Sequence, residues 1–159
     1  MGIFSIVHFI YDLLPFAPVL IIGANDESVF SHTKMAFWSY LFVLAIEYAI
    51  YRKGIDNKQG FVLARLVSAI IAPWLEVLIW YVVPAIVKAE LPLYLELPWA
   101  FIVVFLIVLI VGGLEREWQK STYSRYAIIT VLVLLGLSLF FFTAFTFEKP
   151  WIDFFYLPH

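Results

Sequence analysis

Twenty-two consecutive residues, Tyr126 to Phe147, read "YAIITVLVLLGLSLFFFTAFTF" and contain no charged side chain. A helix of that length rises about 33 Å, enough to cross the roughly 30 Å of bilayer hydrocarbon. The pattern recurs. Ile3 to Gly23, Met35 to Tyr51, Phe61 to Val87 and Pro98 to Leu114 are the other segments that read as spanning helices. With 64% hydrophobic and 14% charged residues, the chain falls far from a soluble domain, which carries about 25% charged residues. The expected fold is an all-α integral membrane helix bundle with five spans, residues 1–159 forming one domain.

The first segment is the least regular, because Asp12, Pro15 and Pro18 interrupt it. Proline removes a backbone donor and disfavours helix in the preceding residue. Four spans plus an irregular N-terminal segment is therefore the alternative. The connections "RKGIDNKQG", "KAELPLYLEL" and "EREWQKSTYSR" are short, so consecutive helices run antiparallel in one bundle. Arg52, Lys53, Lys58 and Arg65 gather at one loop and Arg116, Lys120 and Arg125 at another, and such residues are retained on the cytoplasmic side. Five spans then place the N-terminus in the cytoplasm and the tail "FEKPWIDFFYLPH" outside. The N-terminal residues lack the basic region and cleavage site of a removable signal peptide.

A net charge of −2 without a Lys/Arg run excludes nucleic acid as a partner. Zero cysteines exclude thiolate chemistry, so any bound metal would rest on His, Asp and Glu. No nucleophile elbow, Walker sequence, H-E-x-x-H or Rossmann fingerprint occurs.

Ionisable groups at bilayer depth cost about 2.5 to 3.5 kcal/mol or more, so those present face protein and have partners. His8 and Asp12 lie four residues apart on one helix face, and they can approach "ANDESVFSHTK", which carries Asp26, Glu27, His32 and Lys34. Two imidazoles and three carboxylates suit a divalent metal such as zinc, manganese or iron. The competing reading makes Asp26, Glu27 and Ser28 a cap for the helix that follows. Glu47 and Arg65 flank one loop at similar depth and form an expected interhelical ion pair. Arg65, Ser68, Ala69, Ala72 and Glu76 share a helix face whose small residues favour close packing. Glu76 is then a buried carboxyl, either bonded as a neutral group or open to a cation or proton.

The blocks "VHFIYD", "DESVFSHTK", "IEYAIYR", "VLARL" and "FTAFTFEKPWIDFF" resemble those of a family of small multi-pass membrane proteins of archaea and bacteria, one with no assigned activity. In that family the second block usually reads Asn-Glu-Ser, two residues, Glu-His, one residue, Lys. Asp26 and Ser31 depart from it, whereas Glu27, Ser28, His32 and Lys34 match. Ser31 removes one candidate metal ligand. The resemblance singles out His8, Tyr11, Glu27, His32, Lys34, Glu47 and Arg65.

The leading expectation is a non-enzymatic membrane component, an accessory subunit or homo-oligomer whose partners are lipid and other membrane helices. A small-solute, proton or cation carrier would use Glu76 and the polar cluster. An intramembrane enzyme acting on a lipid or isoprenoid would use His8, Asp12, Glu27 and His32.

Overall fold

A computed structural model describes residues 2–24, 26–89 and 91–156, without the side chains of Asp12, Leu93 and Asp153. The described residues form helices α1 (Gly2–Leu13), α2 (Ala17–Ile22), α3 (Val29–Tyr51), α4 (Lys58–Trp80), α5 (Val82–Val87), α6 (Leu93–Trp118) and α7 (Arg125–Phe147). A 3-10 turn follows at Asp153–Phe155.

Four stretches are long and apolar enough to cross a membrane: Val29–Tyr51, Lys58–Val87, Tyr94–Trp118 and Arg125–Phe147. The segment Ile3 to Gly23 is instead divided. The chain leaves the helix at Leu14, the residue before Pro15, and restarts with Pro18 in the first turn of α2, where its missing N–H is not needed. With 12 residues, α1 is about 18 Å long, short of the hydrocarbon thickness. The described residues thus hold four long apolar helices preceded by a divided N-terminal segment. Gly23 ends α2 against α1, where an added Cβ would stand 2.9 Å from Ile10 Cγ2 and 3.3 Å from the Val7 carbonyl. The pair forms a short hairpin resting on α3 and α7.

Polar residues start the long helices by accepting from otherwise unpaired N–H groups. Ser28 accepts from Ser31 N at 3.3 Å, Asn57 from Gly60 N at 2.9 Å and Ser124 from Ala127 N at 3.2 Å. Between α4 and α5 the helix is interrupted by a single residue, Tyr81. Pro84 cannot donate to the Trp80 carbonyl four residues back, and Trp99 Nε1 of α6 takes that acceptor at 3.1 Å. Thus Trp99 ties α6 to α4.

Helix α4 is central, packing against α3, α6 and α7. Its Ala64, Ser68, Ala69 and Ala72 are fully buried, and the expected small-residue face is the packed one. One core patch joins Ala72 to Val103, Ile107 and Val111 of α6. Another joins Phe30, Phe37, Ala69 and Phe142 to Phe155 of the C-terminal turn. Phe155 is buried with its ring centroid 4.8 Å from that of Phe30, which fixes the tail at the start of α3. Most apolar side chains on α6 and α7 remain exposed, as lipid-facing helices require.

The bundle therefore has two distinct ends. One holds the basic loops 52–57 and 119–124, which Asn57 joins by donating to the Gln119 and Ser121 carbonyls at 3.0 Å each. The other holds the start of α3, the α1–α2 hairpin and the tail after α7. At the basic end, Gly60 lies against the Gln119 carbonyl, where a Cβ would overlap backbone. Gly60→Ala is expected to destabilise the folded bundle by about 1–3 kcal/mol, the range for overpacking. Thermal unfolding in detergent, with Gly136→Ala at an open position as control, measures it.

Candidate functional site

At the end opposite the basic loops the chain turns sharply from Gly23 into α3. Asp26 organises this turn. Its Oδ1 accepts from Ser28 N at 3.0 Å, Ser28 Oγ at 2.5 Å and Ser31 Oγ at 2.7 Å, and its Oδ2 pairs with Lys149. Burial alone would raise this carboxyl, but the bonds from Lys149, Ser28 and Ser31 outweigh it and hold Asp26 well below the usual carboxylate range.

Glu27, the next residue, turns the other way and does not cap the helix. Its Oε2 lies 3.3 Å from His32 Nε2 and 3.6 Å from His8 Nε2, and the two imidazole centroids are 5.8 Å apart. One donor atom from each of the three residues falls within 4.8 Å of the others. The hydrogen bond from His32 holds the Glu27 carboxyl below its ordinary value against the opposing effect of burial, with help from the charges of His32 and His8.

Helix geometry explains the convergence. His32 Nδ1 lies 3.0 Å from the Ser28 carbonyl one turn back. A carbonyl only accepts, so Nδ1 carries a proton, and Nε2 faces Glu27, donating to it when the ring is protonated and offering a lone pair when the ring is neutral. This arrangement, one ring nitrogen fixed on a carbonyl and the other presented outward, is how metal-binding histidines are commonly oriented. His8 arrives from α1, held by Val7 packing with Ala24 and Met35. Its Nδ1 is buried and has no partner among the described residues. The Asp12 side chain, one turn further along α1, lies outside the described residues.

For a metal about 2.1 Å from each donor, tetrahedral neighbours are about 3.4 Å apart. The two carboxylate–imidazole separations, 3.3 and 3.6 Å, lie near that spacing, and the donor set as a whole spans 4.8 Å, so the imidazoles would draw together around an ion. Glu27 is 61% exposed, so a fourth position would open to solvent.

Lys34 does not join this group. It is buried, and its Nζ donates to the Leu20 carbonyl at 2.8 Å and Thr146 Oγ1 at 3.2 Å, tying α3 to α2 and α7. Glu47 and Arg65 meet near the basic end, with Arg65 Nε 2.6 Å from Glu47 Oε2 and the guanidinium 3.5 Å over the Phe61 ring. Glu76 lies between the two ends, buried on α4. Lys149 escaped the sequence reading. It reaches Asp26 across 123 positions because the aromatic tail docks on Phe30, a contact with no local sequence signal.

Comparisons with protein-family models, curated proteins and solved structures return no match. The site is therefore interpreted from its own chemistry.

Because the folded Asp26 and Glu27 carboxyls are depressed, each stabilises the fold above its unfolded value, about pH 4, and that stabilisation is lost as pH falls through the lower folded value. Asp26→Asn is expected to cost about 2 kcal/mol near neutral pH, the scale of a lost cap and a half-buried pair. It should also flatten the acid limb of stability. Melting temperature recorded from pH 7 to pH 3 for both proteins checks the sign.

Proposed function

We propose that this chain is a membrane bundle that binds one divalent transition metal through His8 Nε2, His32 Nε2 and the Glu27 carboxylate. The observation carrying this reading is the convergence of three donors from α1, the turn before α3 and α3 itself at ligand-like separations. Two imidazoles and a carboxylate suit zinc, iron or manganese. Three protein ligands leave a position for water or for an anionic group of a substrate, as in catalytic rather than structural sites.

The positive-inside rule supports an orientation with the basic loops in the cytoplasm. With four crossings, the α1–α2 hairpin, the metal ligands and the C-terminal tail then share the extracytoplasmic side. This orientation replaces the cytoplasmic N-terminus that a fifth crossing implies. The exposed faces of α6 and α7 are the surface offered to lipid and to other membrane helices.

A plain ion pair between Glu27 and protonated histidines is the competing arrangement, and metal analysis separates the two. Protein purified without chelators is expected to hold about one metal per chain. His8→Ala and His32→Ala are each expected to abolish stoichiometric binding, while Glu117→Gln at the opposite end leaves it unchanged. Titration of apoprotein with Zn²⁺ and Mn²⁺, read by calorimetry and elemental analysis, tests it. Wild-type protein that neither retains nor takes up metal would reduce the cluster to an ion pair between Glu27 and the two histidines.

A further inference from the structure

At the basic end, Asn57 fastens two loops together by donating from one amide to carbonyls 62 and 64 positions away, those of Gln119 and Ser121. Between the loops is a cavity of about 400 Å³. Ile55 and Phe61 supply apolar lining, and Asp56, Asn57, Gln119 and Lys120 supply polar lining.

Several of these polar groups keep hydrogen-bonding capacity. Lys120 Nζ donates once, to Glu117 Oε1 at 2.9 Å, and retains two N–H groups. The Gln119 side chain accepts from Arg65 through Oε1 at 3.4 Å, which leaves its NH₂ group as a donor. The Asp56 carboxylate is exposed and accepts from no described residue. Donors for a phosphate and an acceptor for a hydroxyl therefore line one space.

The charge around that space is one-sided. Arg52, Lys53, Lys58, Arg116, Lys120 and Arg125 are all exposed, and among the described residues only Lys120 of the six has an ion-pair partner. Asp56 and Glu117 are the exposed carboxylates on the same two segments, so positive charge stays in surplus even with Glu47, Arg65 and Glu115 counted. Retention of basic residues on the cytoplasmic side accounts for their number, but not for a cavity pinned between the loops that carry them. Exposed Tyr51 and Tyr126 at the adjoining helix ends mark this as headgroup level. On the helices leading into the two loops, Ile46 and Ile50 of α3 and Ile110 and Leu114 of α6 are exposed and give acyl chains an apolar wall.

We infer that the cavity between the basic loops binds the headgroup of an anionic phospholipid of the adjoining leaflet, one that carries hydroxyls as well as phosphate, as phosphatidylglycerol does. Basic pockets at the cytoplasmic ends of membrane helices suit such headgroups. The phosphodiester takes the Lys120 and Gln119 donors, the glycerol hydroxyls donate to Asp56, and the acyl chains run along α3 and α6. A choline headgroup offers neither the net charge nor the hydroxyls. The site does not depend on metal binding at the other end.

Native mass spectrometry of full-length protein, delipidated in detergent and titrated with dioleoyl phosphatidylglycerol or dioleoyl phosphatidylcholine, tests the assignment. One phosphatidylglycerol per chain is expected to bind about tenfold or more tightly than phosphatidylcholine, because several cations each contribute about fivefold at an anionic surface. Lys120→Gln should weaken phosphatidylglycerol about fivefold, and Lys88→Gln at the opposite end should leave it unchanged. Lys120 is exposed, so its replacement leaves the bundle folded. Equal binding of the two lipids, or unchanged phosphatidylglycerol binding in Lys120→Gln, would overturn the site. Displacement of the lipid by millimolar ammonium phosphate would also overturn it, by making the cavity a site for a soluble anion.

Discussion

The close approach of α3 and α6 to the small-residue face of α4 is the contact on which the rest depends. Ala64, Ser68, Ala69 and Ala72 have no bulk to hold neighbouring backbones apart, and dispersion over that face replaces the hydrophobic drive that lipid does not supply. Once the helices close, Glu47 reaches Arg65, Tyr40 enters between the core patches, and Glu76 is shut away from lipid. Larger side chains there would separate these groups and leave charges facing hydrocarbon.

A second constraint follows from the medium. Polar groups inside a bilayer find partners within the protein or incur the cost of being unsatisfied. Lys34 shows the consequence, since its buried ammonium spans from α3 to the end of α2 and to Thr146 on α7. Trp99 shows another, by donating to the carbonyl that Pro84 leaves free. The polar contacts therefore act as joints between helices whose remaining contacts are mostly apolar. The aromatic patch around Phe30 and Phe155 adds one more joint and delivers Lys149 to Asp26.

Much of the candidate site was legible from local pattern. His32 and Ser28 share a helical turn, and Arg65 and Glu47 bracket a short loop, so their neighbours follow from spacing. Residues that arrive from far along the chain were not legible. Lys149 enters through the docking of the aromatic tail on Phe30, and nothing adjacent to it in sequence announces it. Glu27 was grouped with Asp26 as a cap, yet the two carboxylates turn in opposite directions, one into the serines and one toward the imidazoles. Backbone geometry at the turn decides that split.

Sequence by itself determined that the chain is helical and suited to a membrane, because uncharged runs of that length have one stable solution in lipid and helical hydrogen bonds are local. It also marked Pro15 and Pro18 as a break, though not that two short helices would fold back on each other. Tertiary structure alone decided which of the scattered polar residues meet. His8 touches the Glu27–His32 pair only because the α1–α2 hairpin docks on α3, and Glu76 is buried only because neighbouring helices close on α4. Such meetings depend on the summed packing of whole helix faces, and no short window of sequence contains that sum.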